Sequence, residues 1–336
     1  MFIDLESAFK NFEYYCHLYN EYEHVSSSRE QLKSKIIISN DVYELEYYLN
    51  SPVNDRVFLL VPSLINSADI FLIGGVNSFV GYLSKLGRVY LINWREPREP
   101  SIDFNLNNYA SEATNIAQLL HDEWGEKIDL VGYCLGGNLA IASAALLGER
   151  VKSLLLFATP WDFSYLQALR SLLKTLQIER AIETVSTVPI TYMQILFFLM
   201  NLEKSFNKFF HDFDISQNEN LETYFAVEKW LYNGRDISKP SYSQLMIEFI
   251  EKNVTMENKW YIGDQCINPT ELKIPVLSVL GLRDKIVAAN AVRAIYSKLM
   301  NCKSIEINSG HIGFFVGRHR DRLYKEIDNW LRGVNE

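Results

Sequence analysis

The chain is poor in cysteine. Its four, Cys16, Cys134, Cys266 and Cys302, are widely separated, with no CxxC pair and no neighbouring histidine pair. No zinc or other metal site and no disulfide framework is expected from them. A basic excess is also lacking. Lys and Arg number 33 against 41 Asp and Glu, a net charge of -8, so no nucleic-acid partner is expected. No run of like charges marks a tail, and no Pro/Gly/Ser tract marks a linker. The first twenty residues carry acids early and no apolar h-region, so no signal peptide is expected. That points to a reducing cytoplasm, where a reactive thiol survives. One uncharged stretch, Leu130–Gly148, has 19 residues, enough for a membrane span by length. It contains four glycines and an Asn, and it reads as strand, turn and buried helix, so no transmembrane segment is expected.

What is present is an ordinary globular composition, 48% hydrophobic and 22% charged. Residues 1–34 read as an N-terminal helical segment with interleaved aromatics. "SKIIISN" and "VYELEYYL" then read as strands, and from "RVFLLVP" onward strands alternate with helices. "RVYLINW", "KIDLVGY" and "VKSLLLFATP" are strand runs; "NYASEATNIAQLLHDEWG" has helical spacing. The rhythm stops near Asp162 and returns with "IPVLSVLG" and "KSIEINSG". This grammar predicts an α/β class, an α/β-hydrolase fold with a helical cap insertion. The core is expected over 35–163 and 257–336, and the cap over 164–256. The competing reading of 164–256 is an independent helical domain. The cap is dense in aromatics such as Phe197, Phe198, Phe209, Phe210 and Tyr224. They either pack over the site or bind a partner, a second copy or product.

Chemistry concentrates in "DLVGYCLGGNLAIASA", residues 129–144. Gly132-Tyr133-Cys134-Leu135-Gly136 has the spacing of a nucleophile elbow, with cysteine in the usual serine position. In such folds the acid and then the histidine follow, each after a strand. "SVLGLRDKIV" offers Asp284, and "IEINSGHIGFF" offers His311. Each residue alone has a plainer explanation: a buried Cys as a core hydrophobe, Asp284 as a helix N-cap, His311 as a loop residue. Their order, each at a strand's C-terminal end, favours a Cys134–Asp284–His311 triad. His17, His24, His121, His211 and His319 fit no such loop and read as structural or surface residues.

A thiol in this place suits acyl transfer. A helix N-terminus and a neighbouring imidazolium both favour a thiolate. Attack on a thioester then exchanges one thioester for another, and the acyl group stays activated for transfer to a hydroxyl. A serine would fall to the oxyester at the first step.

The motifs resemble those of the polyhydroxyalkanoate synthases. The resemblance lies in G-Y-C-L-G-G at 132–137, "LLVPSLINSADIF" (59–71), "VYLINWREP" (89–97), "FATPWDF" (157–163) and "AVEKWLYNG" (226–234). It continues in "NKWYIGDQCINPTELKIPVLSVLGLRDKIV" (258–287) and "SGHIGFFVGR" (309–318). It runs from about residue 35 to the end. Asn138 stands where Thr is common, and Ser63 where Pro is common. The resemblance implies polymerisation of 3-hydroxyacyl-CoA, with Cys134 as nucleophile, His311 as base and Asp284 supporting activation of the 3-hydroxyl. It implies no cofactor. It also implies an oxyanion hole from the backbone N–H of Leu135 and of Leu64 or Ile65. About 35 residues precede the matched region, which is similar to the two-subunit type. A second synthase subunit or a homodimer is therefore expected, with a growing polyester and association with polyester granules in the cytoplasm. Two other readings stay open: a thiol-dependent depolymerase or esterase, and a non-catalytic granule-surface protein.

Overall fold

The computed structural model describes residues 32–48, 55–99, 101–175, 182, 184–200 and 221–334, together with 13, 16, 17 and 19–21. Of 196–200 it describes the backbone only. The expected N-terminal helical segment therefore lies largely outside the described residues. So do Phe209, Phe210, His24 and His211, and the side chains of Phe197 and Phe198.

Eight strands form one sheet. They are β1 (Ser34–Ser39), β2 (Tyr43–Tyr48), β3 (Arg56–Val61), β4 (Gly87–Trp94), β5 (Ile128–Tyr133), β6 (Val151–Phe157), β7 (Val276–Gly281) and β8 (Cys302–Ile307). Their order is β1-β2-β4-β3-β5-β6-β7-β8. The first two run antiparallel, and the rest are parallel. Every residue of β3, β5 and β7 is buried. These strands read as unbroken apolar runs because helices cover both faces.

The helices follow the sequence signals with shifted ends. α1 (Phe79–Leu83) is a short turn capped by the Ser78 hydroxyl, which accepts from the Gly81 N–H. α2 (Leu106–Trp124) starts at a reciprocal cap between Asn105 and Asn108 and stops at Gly125, φ 68°. α3 (Leu135–Leu147) is apolar all round. It is buried from Leu135 to Ala144 between sheet and α2.

Residues 164–256 add no strand to the large sheet among the described residues. They hold α4 (Gln167–Thr175), α5 (Ile190–Met200), α6 (Leu221–Tyr232) and further helical turns to Glu251. Two residues, Thr187–Val188, pair with Ile237–Ser238, a short ladder that alternation patterns cannot reveal. The chain closes with α7 (Arg320–Gly333), whose Leu323, Tyr324, Ile327 and Leu331 are buried.

Register decides where the site falls. Val61 lies beside Gly132, Tyr133 beside Phe157, Phe157 beside Val279, and Gly281 beside Ile307. The C-terminal ends of β3, β5, β6, β7 and β8 therefore line up. The loops after them meet along one edge, where ligands bind in open α/β sheets.

Candidate active site

Cys134 lies between β5 and α3 at φ 53°, ψ -128°. A non-glycine residue there is strained, and the surroundings hold it. The Cys134 N–H donates to the Phe157 carbonyl at 2.8 Å, and the Gly137 N–H donates to the Cys134 carbonyl at 2.9 Å. The flanking glycines have steric reasons. A Cβ on Gly132 would sit 2.4 Å from Gly137 Cα, and one on Gly136 would sit 2.3 Å from the carbonyl oxygens of Val61 and Pro62. The elbow is thus wedged between α3 and the loop after β3, with the thiol half-buried at the helix N-terminus.

Asp284 follows β7. It is not the N-cap of a long helix: the helix in "DKIVAANAVRAI" is only Ala289–Arg293, and its cap residue is Ala288. Instead Asp284 Oδ1 accepts from the N–H groups of Ile286 (2.8 Å) and Val287 (2.9 Å). That fixes the carboxylate and leaves Oδ2 for His311 Nδ1, at 2.7 Å. The Asp284 side chain is 1% exposed and that of His311 9%. The two loops run together: the Arg283 N–H donates to the Ser309 carbonyl at 3.0 Å.

Cys134 lies near enough to His311 to influence its charge. Nδ1 is committed to Asp284, which leaves Nε2 for another partner. Burial by itself would lower the imidazole pKa. The charges of Asp284 and Cys134, with the hydrogen bond to Asp284, outweigh it and push the pKa up to about 10. The imidazole is thus held in its protonated form beside a buried carboxylate.

Two tyrosines complete the surround, and the elbow and loop motifs gave no role to either. The Tyr133 ring lies 5.1 Å from the His311 ring, and its hydroxyl donates to the His311 carbonyl at 3.4 Å. Phe71 and Phe315 meet Tyr133 edge-on. Tyr165 donates to the Ile286 carbonyl at 3.1 Å and so braces the acid loop from residues 164–256. Burial, then the charges of Cys134 and Asp284, hold both hydroxyls far above their ordinary pKa. Both remain donors. Their signal in sequence is only position: one precedes the nucleophile, and the other opens the helical insertion.

Leu135 opens α3, where an N–H has no intrahelical acceptor. On the facing loop, the Ile65 N–H is engaged by the Ser63 hydroxyl at 3.3 Å. This makes Leu64 the better of the two oxyanion candidates. Among the described residues no three His, Cys, Asp or Glu side chains cluster as a metal site. No described helix is long and apolar enough to cross a membrane.

Residues 57–318 match the family model described as alpha/beta hydrolase fold. The chain belongs to that family. Within it, the sequence is similar to the poly(3-hydroxyalkanoate) polymerase subunit PhaC of Synechocystis sp., 26% identical over 306 residues, covering 86% of this chain and 81% of that one. The PhaC of Allochromatium vinosum is 25% identical over 81% of this chain and 79% of its own. That of Haloferax mediterranei is 26% identical over 84% of this chain and 60% of its own. Among solved structures, a thermophilic esterase from Thermogutta terrifontis superposes with TM-score 0.58 at 16% identity, covering 91% of this chain and 99% of that one. A monoacylglycerol lipase from Paleococcus ferrophilus gives 0.53 at 16% identity, covering 83% and 94%. These structures share the fold.

Proposed function

We propose that this chain is the catalytic subunit of a polyhydroxyalkanoate synthase, which polymerises 3-hydroxyacyl-CoA with release of CoA. The observation that carries this reading is His311, hydrogen-bonded to Asp284 through Nδ1 and pushed up in pKa by both Asp284 and the elbow cysteine. A thiol nucleophile suits a thioester donor, and the similarity to PhaC proteins over four-fifths of the chain supports the same reaction. In the proposed mechanism Cys134 Sγ attacks the thioester carbonyl carbon. The oxyanion forms against the N–H groups of Leu135 and Leu64. The bond to CoA sulfur breaks, and the His311 imidazolium gives its proton to the departing thiolate. In the second half, His311 takes the proton of a 3-hydroxyl. That oxygen attacks an acyl thioester, an ester bond forms, and the thiol is regenerated.

We further propose the division into a core over 35–163 and 257–336 and a cap over 164–256. The names of these relatives call them subunits, which supports a partner subunit or a second copy. A short 3-hydroxyacyl group and attachment to polyester granules are part of the same proposal. The test is free CoA release from 3-hydroxybutyryl-CoA together with polymer formation. CoA release in step with polymer supports a synthase. CoA release giving only free acid would replace it with a thioesterase.

A further inference from the structure

The loop after β3, residues 62–67, is buried: Ser63, Leu64 and Ile65 are each 6% exposed. A buried loop must find partners for its backbone polar groups, and this one finds them mostly outside itself. The Pro62 carbonyl accepts from Trp94 Nε1 at 3.2 Å. The Ile65 carbonyl accepts from the Arg235 N–H at 2.8 Å. The Ser67 carbonyl accepts from Trp230 Nε1 at 2.7 Å. Asn66 bridges to Gly234, and its Nδ2 donates to the Trp230 carbonyl at 3.4 Å. Only the first of these donors belongs to the core. The other contacts come from α6 and the turn after it, within the segment "AVEKWLYNG" and its neighbour Arg235. That segment carries no chemistry of its own.

We propose that Trp230 is a positioning residue for the oxyanion hole, through which residues 226–235 hold the Leu64 N–H in place. The Leu64 N–H belongs to the peptide that follows the one held by Trp94. The next anchored carbonyls, at Ile65 and Ser67, depend on residues 230–235. With those donors in place, the dihedrals between the clamped peptides have little freedom, and the N–H stays aimed. Without them, the loop is held at one end only. The elbow, the imidazole and the carboxylate are anchored elsewhere, by Phe157, Tyr133 and the N–H groups of Ile286 and Val287. Loss of the Trp230 clamp should therefore weaken stabilisation of the oxyanion and leave the nucleophile untouched. The inference rests on Cys134 as the nucleophile and on the Leu64 N–H as an oxyanion donor, but not on the identity of the acyl substrate.

Two reactions at the same sulfur separate these effects. Acylation by p-nitrophenyl acetate forms the Sγ–acyl bond, expels p-nitrophenolate and passes through an oxyanion. Alkylation by iodoacetamide forms an Sγ–carbon bond, expels iodide and involves no oxyanion. In Trp230→Phe, which keeps an aromatic ring and removes the donor, the acylation burst should slow about tenfold, with alkylation of Cys134 at the wild-type rate. Asn66→Ala, at a half-buried site, should slow acylation about threefold in the same selective way, and it decides the question if the Trp230 variant does not fold. Equal slowing of both reactions, or no slowing of either, would overturn the proposal. A wild-type burst that persists in Cys134→Ala would overturn the site on which it rests.

Discussion

At the scale of single residues, the pair Cys134–His311 makes the sharpest claims. Cys134→Ala should abolish acylation and polymer formation. Cys134→Ser should keep the fold and lose on the order of a thousandfold or more, because His311 must then generate an alkoxide. Alkylation should be selective. Burial pushes the Cys302 thiol up to about 11, so it stays protonated near neutrality. Peptide mapping after brief iodoacetamide treatment should therefore find label on Cys134 and not on Cys302. The raised pKa of His311 has a definite sign for stability. The protonated imidazole is favoured in the folded chain relative to its ordinary value of about 6.5. Its contribution is complete below that pH and is lost as pH rises through about 10. Denaturation midpoints should fall across that window in the wild type and flatten in His311→Gln. NMR titration of His311 should move to lower pH in Cys134→Ala and in Asp284→Asn, each of which removes one supporting charge. Asp284→Asn should also spare the first acylation more than elongation. Once formed, a thiolate attacks an activated thioester with little further help, whereas a 3-hydroxyl, far less acidic, needs a fully supported base. Equal losses in a single-turnover CoA burst and in chain growth would make Asp284 a plain orienter.

At the scale of elements, the elbow is a steric device. A Cβ on Gly132 would meet backbone, the Gly137 Cα at 2.4 Å, which no rotamer change relieves. Gly148 sits at φ 58° with open space around it. Gly132→Ala should therefore cost more than about 3 kcal/mol, and Gly148→Ala, at ψ -119°, roughly 1–3 kcal/mol from backbone strain alone; urea unfolding of both variants checks the ranking. The elements around the elbow were readable because they are regular. β5 is an unbroken apolar run, Asn105 and Gly125 bracket α2, and Cys134, Asp284 and His311 each follow a strand. What the sequence hid has physical reasons. "DKIVAANAVRAI" has helical composition, but Asp284 takes its two N–H bonds in a turn, and the helix begins only at Ala289. The ladder of Thr187–Val188 with Ile237–Ser238 is too short for a period to register. The roles of Tyr165, Trp94 and Trp230 depend on contacts between residues far apart in sequence, which no local pattern encodes.

At the scale of the whole molecule, the sheet is tied at the end opposite the site by a buried ion pair. Arg56 of β3 and Asp129 of β5 meet at 2.7 Å, with side chains 4% and 0% exposed. Asp129 also accepts from Ser153 of β6, and Arg56 donates to the Leu331 carbonyl of α7. Burial raises the Asp129 pKa, and the Arg56 charge and the hydrogen bonds from Ser153 and Arg56 oppose it. Asp129→Ala would strand a buried cation and should cost roughly 3–5 kcal/mol. Far from the elbow, it should leave alkylation of Cys134 unchanged under conditions where the fold persists. The opposite edge of the same sheet gathers the loops that carry the chemistry, so stability and reactivity draw on different ends of the strands.

The central claim is that Cys134 carries the acyl chain. The most direct measurement is rapid quenching of the protein with 3-hydroxybutyryl-CoA, followed by proteolysis and mass spectrometry of the peptide bearing Cys134. The account predicts adducts of one and then several whole 3-hydroxybutyryl units on that cysteine, formed in step with CoA release and absent from Cys134→Ala. CoA release with an unmodified Cys134, or acyl units on another residue, would contradict it.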